Sequence, residues 1–238
     1  MGAHALAQPR LPAGSVAGPN VDKMADLDYT IKTENGYTEL QGCNSFWELV
    51  AMGQQFGLPT RLLDWTYSPL VAAHFATEDI DYYDRDGVIW CVNIEDVNAN
   101  LPPSLRQKLS EQRADIFTRD ILEDVAHNFT SLQALSDQPF ALFFEPASTV
   151  NRIANQYALF SAVSDPAVTL LDLPESECFV RLIISKKAKL EIRDKLDYIN
   201  ISERMIYPGL DGICRWIARR YAPLGPRYNA EHAKEEQP

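Results

Sequence analysis

Residues 57–69 read Gly57-Leu58-Pro59-Thr60-Arg61-Leu62-Leu63-Asp64-Trp65-Thr66-Tyr67-Ser68-Pro69, and the rest of the chain takes its meaning from this stretch. Pro59 and Pro69 each keep the residue before them out of helical conformation. Between them Arg61, Asp64, Trp65, Thr60 and Thr66 surround the pair Leu62-Leu63. An amphipathic helix is predicted to run in and an apolar one to run out, which makes the stretch a polar turn between two helices. A turn that carries Arg, Asp and Trp together is expected to use them to hold one another or to hold a ligand.

The incoming helix starts at Ser45, which with Glu48 has the spacing of a capping box. Phe46, Leu49, Val50 and Phe56 fall on one face, and Gly57 followed by Pro59 ends it. On the outgoing side Ser68 and Pro69 read as N-cap and first helical residue. Leu70, Val71, Ala72, Ala73 and Phe75 then make a short helix expected to be buried on most sides. Further along, 87–94, 140–145, 157–163 and 179–184 have the length and apolar content of strands. Helices are predicted from 104 onward, over 121–135 with Leu122, Val125, Phe129 and Leu132 in one stripe, over 148–156, 186–196 and 202–206. A last helix at 209–221 carries Ile213, Trp216, Ile217 and Tyr221 on one face. Helices and strands are interspersed without a βαβ repeat, which predicts an α+β domain with a mixed sheet of about four to six strands flanked by helices. Residues 1–43 are expected to be mostly disordered or atypical and to hold little beyond a short strand, 44–222 to form one domain, and 223–238 a disordered tail.

Bulk properties narrow the function. The 238 residues are 46% hydrophobic and 23% charged, an ordinary soluble composition. A formal net charge of −11 argues against broad nucleic-acid binding, which depends on neutralising phosphates. The four cysteines lie far apart without a CxxC pair, so neither a zinc site nor a disulfide framework is expected. No apolar run reaches the roughly 20 residues of a membrane span, and the expected location is cytoplasmic or nuclear.

The candidate site residues come in two groups. Arg61 and Asp64 stand three apart and either clamp the turn as an ion pair or share a pocket, with Arg61 directed at an anion. Trp65 is either core or a stacking wall for a planar ring, and Thr60 and Thr66 can bond backbone or ligand. Arg152 and Gln156, four apart on a short helix, share one face. His74 lies in an apolar helix and is expected to be a satisfied core histidine. No nucleophile, metal-ligand or phosphate-loop motif is present.

The run Gln54-Gln55-Phe56-Gly57-Leu58-Pro59-Thr60-Arg61-Leu62-Leu63-Asp64-Trp65-Thr66, followed by Ser68-Pro69-Leu70 and by Ala73, Phe75 and Ala76, strongly resembles the central motif of FRG-domain proteins. Arg152, Gln156 and Phe160 resemble that family's second motif, and Tyr207-Pro208-Gly209-Leu210-Asp211-Gly212 its closing turn. By these motifs the resemblance spans about 45–222. The family's Phe-Arg-Gly tripeptide is absent from the chain, Gln55 stands where the family usually has His, and Ala158 where it usually has Gly. The resemblance therefore implies a member that lacks its first structural segment.

The family's motif order is similar to that of ADP-ribosyltransferase-like folds. The likeness implies a nucleotide pocket, NAD-like in type, with Arg61, Asp64, Trp65, Thr66 and Arg152 as ligand-binding residues and Gln156 as the late, catalytic-position residue. Without the upstream Arg, and with Gln156 unable to take a proton, the pocket is expected to be inactive. The alternative is a non-catalytic ligand-binding or protein-interaction module. A third possibility is that Arg61, Asp64 and Trp65 only lock a helix junction.

Overall fold

The computed structural model describes residues 4–7, 45–146 and 151–222. Its helices, in chain order, are α1 (Phe46–Gln55), α2 (Pro69–Thr77), α3 (Ile94–Asn98), α4 (Pro103–Gln112), α5 (Arg119–Val125), α6 (Phe129–Gln133), α7 (Asn151–Asn155), α8 (Lys189–Tyr198), α9 (Glu203–Ile206) and α10 (Leu210–Tyr221). The strands are β1 (His4–Ala7), β2 (Leu62–Thr66), β3 (Gly87–Asn93), β4 (Phe117–Thr118), β5 (Ala141–Glu145), β6 (Ala158–Val163) and β7 (Phe179–Ile184). Among the described residues the strands form one sheet in the order β4-β5-β6-β2-β1-β3-β7. The pair β4–β5 is parallel and the other pairs are antiparallel. The class is α+β with a mixed sheet.

The stretch 57–69 corrects the expectation drawn from it. It is not a turn between helices: Leu62–Thr66 is the central strand, paired with β6 in the register Leu62↔Ala162 to Thr66↔Ala158. On its other side it pairs with β1 at Leu6↔Thr66 and Ala7↔Trp65. The strand is only five residues long and opens with two leucines, so its period-2 alternation is too short to register in the sequence. The flanking helices are as expected. Ser45 Oγ accepts the Glu48 N–H at 3.3 Å, Ser68 Oγ accepts the Val71 N–H, and Gly57 takes φ +92° just past α1, a conformation glycine adopts without strain. Phe56 departs from its predicted face: it is the C-cap, where the helical rotation has already ended, and is 63% exposed.

Strands β2, β5 and β6 carry a core on each face. Leu62, Phe144, Phe160 and Ala162 pack under α1, α4, α5 and α6 with Trp47, Val50, Leu105, Leu122, Phe129 and Leu132. Trp65, Phe143 and Leu159 point to the opposite face and pack with Val92, Ile94 and Val97. This explains why β5 reads as an unbroken apolar run, since its alternate residues each meet a core. The helix predicted over 121–135 is two helices. The first ends at Val125 with Ala126 extended as its C-cap, and Asn128 caps the second through a capping box with Ser131 at 2.8 and 2.9 Å, while Leu122, Phe129 and Leu132 all remain buried. Strand β3 is paired on both edges, by β1 and β7. On α10 the predicted shared face is divided, with Ile213, Ile217 and Tyr221 exposed and Trp216 half-buried between Arg204 and Arg220.

Candidate functional site

Arg61 and Asp64 do not meet. In extended chain three residues cover about 10 Å, and the two side chains find different partners. Arg61 Nη2 donates to the carbonyls of Val163 at 2.9 Å and Ser164 at 3.0 Å, and its guanidinium lies 4.5 Å over the Phe129 ring. Burial pulls its pKa below the ordinary arginine value. Arg61 thus ties the start of β2 to the end of β6. The expected Arg61–Asp64 pair is absent, and the hydrogen bonds of Arg61 among the described residues go to backbone carbonyls.

Trp65 belongs to the core at 3% exposure, with Nε1 donating to Ser161 Oγ at 2.8 Å and Phe143 at 5.2 Å between ring centroids. Thr66 and Gln156 do come together. Thr66 Oγ1 donates to the Gln156 carbonyl at 2.6 Å, and Gln156 Nε2 donates to the Ile206 carbonyl at 3.2 Å. Both residues are buried, and they stitch β2, the end of α7 and α9 into one block. Arg61, at the other end of the strand, is not part of that group.

Between these two ends, in the middle of β2, stands Asp64, which is exposed although it sits on the central strand of the sheet. Its Oδ2 accepts Gln54 Nε2 at 3.0 Å, and the same amide nitrogen donates to the Leu62 carbonyl at 3.1 Å. Thr60 Oγ1 in turn donates to Gln54 Oε1, so the first motif residue orients the carboxylate. Arg152 of α7 is close enough for Asp64 to favour its charge. Its guanidinium lies 4.6 Å from the centroid of the Tyr207 ring, and Arg215 of α10 approaches the same ring at 4.4 Å. Burial is the main influence on the Arg152 pKa and pulls it down, with the Arg215 charge acting the same way and Tyr207, Asp211 and Asp64 opposing. Arg152 Nε is buried without an acceptor, and no hydrogen bond or ion pair of this side chain occurs among the described residues. A guanidinium carries five donors and no acceptor capacity, and this one lies against the Tyr207 ring.

Tyr207 is held from behind. Its hydroxyl donates to Glu78 Oε2 at 2.8 Å, Glu78 lies 3.3 Å from His74 Nε2, and Arg193 Nη1 lies 2.9 Å from His74 Nδ1. Arginine can only donate, so His74 Nδ1 accepts and its proton sits on Nε2, facing Glu78. His74 is therefore a fully buried core histidine, at 0% exposure, whose Nδ1 meets Arg193 while Nε2 lies near Glu78 without a hydrogen bond among the described residues. Sequence reasoning did not single out Arg215 as a site residue, because with Asp211 it reads as an ordinary i,i+4 helix pair. Tyr207 was visible only as part of the closing turn. Among the described residues, no group of His, Cys, Asp and Glu is placed to hold a metal, and no helix is long and apolar enough to cross a membrane. An open depression of about 420 Å³ lined by Asn200, Ser202, Arg204, Met205, Gly209 and Ile213 lies beside α10 and includes none of the candidate residues.

The fold is an α+β domain in which Asp64 of the central strand, Arg152 of α7 and Tyr207 lie near one another. In comparison with protein families, the model of the FRG domain matches residues 24–85. That match takes in Gln54, Thr60, Arg61, Asp64, Trp65 and Thr66, and it extends into the segment 24–43 that the motif comparison left out. Arg152, Gln156, Tyr207 and Arg215 lie beyond it. No curated protein and no solved structure matches the chain.

Proposed function

We propose that this chain is an FRG-domain protein that acts as a nucleotide-binding module, that its ligand is NAD-like, and that the ligand lies over Asp64 and is held there without being turned over. The observation that carries this reading is Arg152, a half-buried cation with no hydrogen-bond acceptor beside an exposed carboxylate on the central strand. Arg152 supplies the grip for a phosphate, and Asp64, fixed by Gln54, is suited to accept from ribose hydroxyls as acidic residues do in dinucleotide sites. Arg61, Trp65, Thr66 and Gln156 support the floor of the site. Transfer chemistry of the ADP-ribosyltransferase type needs a group free to stabilise the developing oxocarbenium. The amide of Gln156 is already committed to the Ile206 carbonyl, so the residue expected in that role is a strut.

Calorimetric titration of the full chain with NAD tests the proposal, with nicotinamide release followed in parallel. NAD is expected to bind, Arg152→Leu to weaken binding by about one to two decades through loss of a charge-assisted contact worth about 1.5–3 kcal/mol, and no nicotinamide to appear. A folded wild-type chain that binds no nucleotide at millimolar concentration overturns the binding reading. Steady nicotinamide release overturns its non-catalytic half.

A further inference from the structure

Arg152 is one of two cations on Tyr207. Arg152 Cζ lies 4.6 Å and Arg215 Cζ 4.4 Å from the ring centroid, so the two guanidinium centres are at most about 9 Å apart. That is within reach of one diphosphate, in which the oxygens of each phosphate can accept from a guanidinium whose carbon lies about 4 Å from the phosphorus. The ring attracts both cations, but the cations repel each other, and the Arg215 charge helps hold the Arg152 pKa down. Only Arg215 has a carboxylate of its own, Asp211 at 3.0 Å, one turn earlier on α10. That pair is about half exposed on both sides, the kind of pair worth little in water and easily exchanged.

The positions of the two arginines are set by packing. Gly212 brings α10 onto α9 so closely that an added Cβ would stand 1.8 Å from the Tyr207 carbonyl and 2.5 Å from that of Glu203, which fixes Arg215 less than one turn further on. Arg152 is set by α7, whose last turn is tied down by Asn155 Nδ2 donating to the Met205 carbonyl at 2.7 Å. The Tyr207 ring between them is 2% exposed and anchored through Glu78. Helix α7 and the segment 207–215 thus present two cations with one ring between them.

We propose that Arg152 and Arg215 are the two jaws of a clamp for the diphosphate group of a nucleotide, and that Arg215 exchanges Asp211 for the ligand when it closes. This rests on the nucleotide reading above and adds the ligand's chemical class and a second gripping residue. Asp64 sets the selectivity. Its carboxylate opposes a bare multiply charged anion but accepts ribose hydroxyls, so a nucleoside diphosphate is preferred to free pyrophosphate, and the second jaw makes it preferred to a monophosphate. In the exchange no covalent bond changes: the Arg215–Asp211 ion pair is replaced by Arg215–phosphate, and Asp211 returns to water.

The test is calorimetric titration of the full chain with ADP, ADP-ribose, AMP and inorganic pyrophosphate, for the wild type, Arg152→Gln, Arg215→Gln and Asp211→Asn, with thermal melts confirming that each variant is folded. ADP and ADP-ribose are expected to bind about tenfold or more tighter than AMP, in line with one further charge-assisted contact. Arg215→Gln should remove that advantage while leaving AMP unchanged. Asp211→Asn, which frees Arg215 from its competitor, should tighten ADP a few-fold, an effect that a purely structural role for the pair would not produce. If ADP binds but Arg215→Gln leaves its affinity intact, or Asp211→Asn weakens it, the clamp is wrong while the nucleotide reading stands. If pyrophosphate binds as tightly as ADP, the site is a simple basic patch and the clamp is again wrong. If the folded wild type takes none of the nucleotides, both readings fall together.

Discussion

Replacing Arg61 by Met separates a structural arginine from a ligand-binding one. Methionine keeps much of the aliphatic stem, so the change removes the two hydrogen bonds to the Val163 and Ser164 carbonyls and the stacking on Phe129. Hydrogen bonds from a charged donor contribute about 1.5–3 kcal/mol each when buried. Those of Arg61 belong at the low end because the side chain is only half-buried. The stacked ring adds about 0.5–1 kcal/mol. Against this, Nη1 is buried without a partner, and its removal returns part of the loss. The net expectation is a destabilisation of about 2–3 kcal/mol, or about 4–12 °C in Tm for a domain of this size. Arg61→Lys should lose about half as much, since it keeps the charge but not the planar fork. Urea denaturation followed by tryptophan fluorescence measures the stability, and calorimetry at a temperature where both proteins are folded measures nucleotide affinity. The reasoning predicts a large effect on the first and less than a threefold effect on the second. A stable Arg61→Met protein that has lost its ligand would refute it and move Arg61 into the pocket.

Gly212→Ala places a methyl group into the Tyr207 and Glu203 carbonyls, so α10 must shift. A loss of about 1–3 kcal/mol is expected, together with weaker diphosphate binding because Arg215 moves with the helix; an unchanged Tm and affinity would show that α10 does not pack as described. Glu203 gives a pH-dependent prediction. Burial pushes its carboxyl up, but two hydrogen bonds from Arg219 at 2.6 and 3.0 Å and the Arg193 charge at 3.6 Å outweigh burial and hold it below the usual carboxylate range. A depressed native pKa gives stability that is present above the unfolded value of about 4.3 and is lost as pH falls through the native value. The Tm gap between wild type and Glu203→Gln should therefore be widest near neutral pH and close below about pH 4; a gap that does not vary with pH would count against the arrangement. Glu78→Gln keeps the shape but weakens the anchor of the Tyr207 ring. It should lower diphosphate affinity a few-fold with little change in Tm, and equal affinity would show that the ring needs no anchor.

How much was legible in the sequence differs from residue to residue. The ends of α1 and α2 were readable because capping is local chemistry: Ser45, Ser68, Pro69 and Gly57 act within one turn of where they stand. The strand β5 was readable because both of its faces are buried and every residue from Ala141 to Phe144 is apolar. Strand β2 was not readable, although its residues carried the strongest family signal. Its pairing partners are β6, some ninety residues later, and β1, at the far end of the chain. The same distance concealed the role of Arg61, whose acceptors are carbonyls more than a hundred residues away.

The sequence by itself determined the α+β class, the resemblance to the FRG motif, the ends of several helices, and a candidate set of Arg61, Asp64, Trp65, Thr66, Arg152 and Gln156. These follow from local propensity, hydrophobic period and motif, all of which act over a few residues. Only the tertiary structure decided which partners these polar residues meet. Trp65, Thr66 and Gln156 spend their polar groups on backbone and hydroxyl partners brought in by the sheet and by α9, whereas Arg152 arrives against Tyr207 with its Nε buried and without a hydrogen-bond partner among the described residues. An arginine looks the same in the sequence whether its acceptors are supplied by the fold or left to a ligand. The difference lies in which long-range pairings close around it.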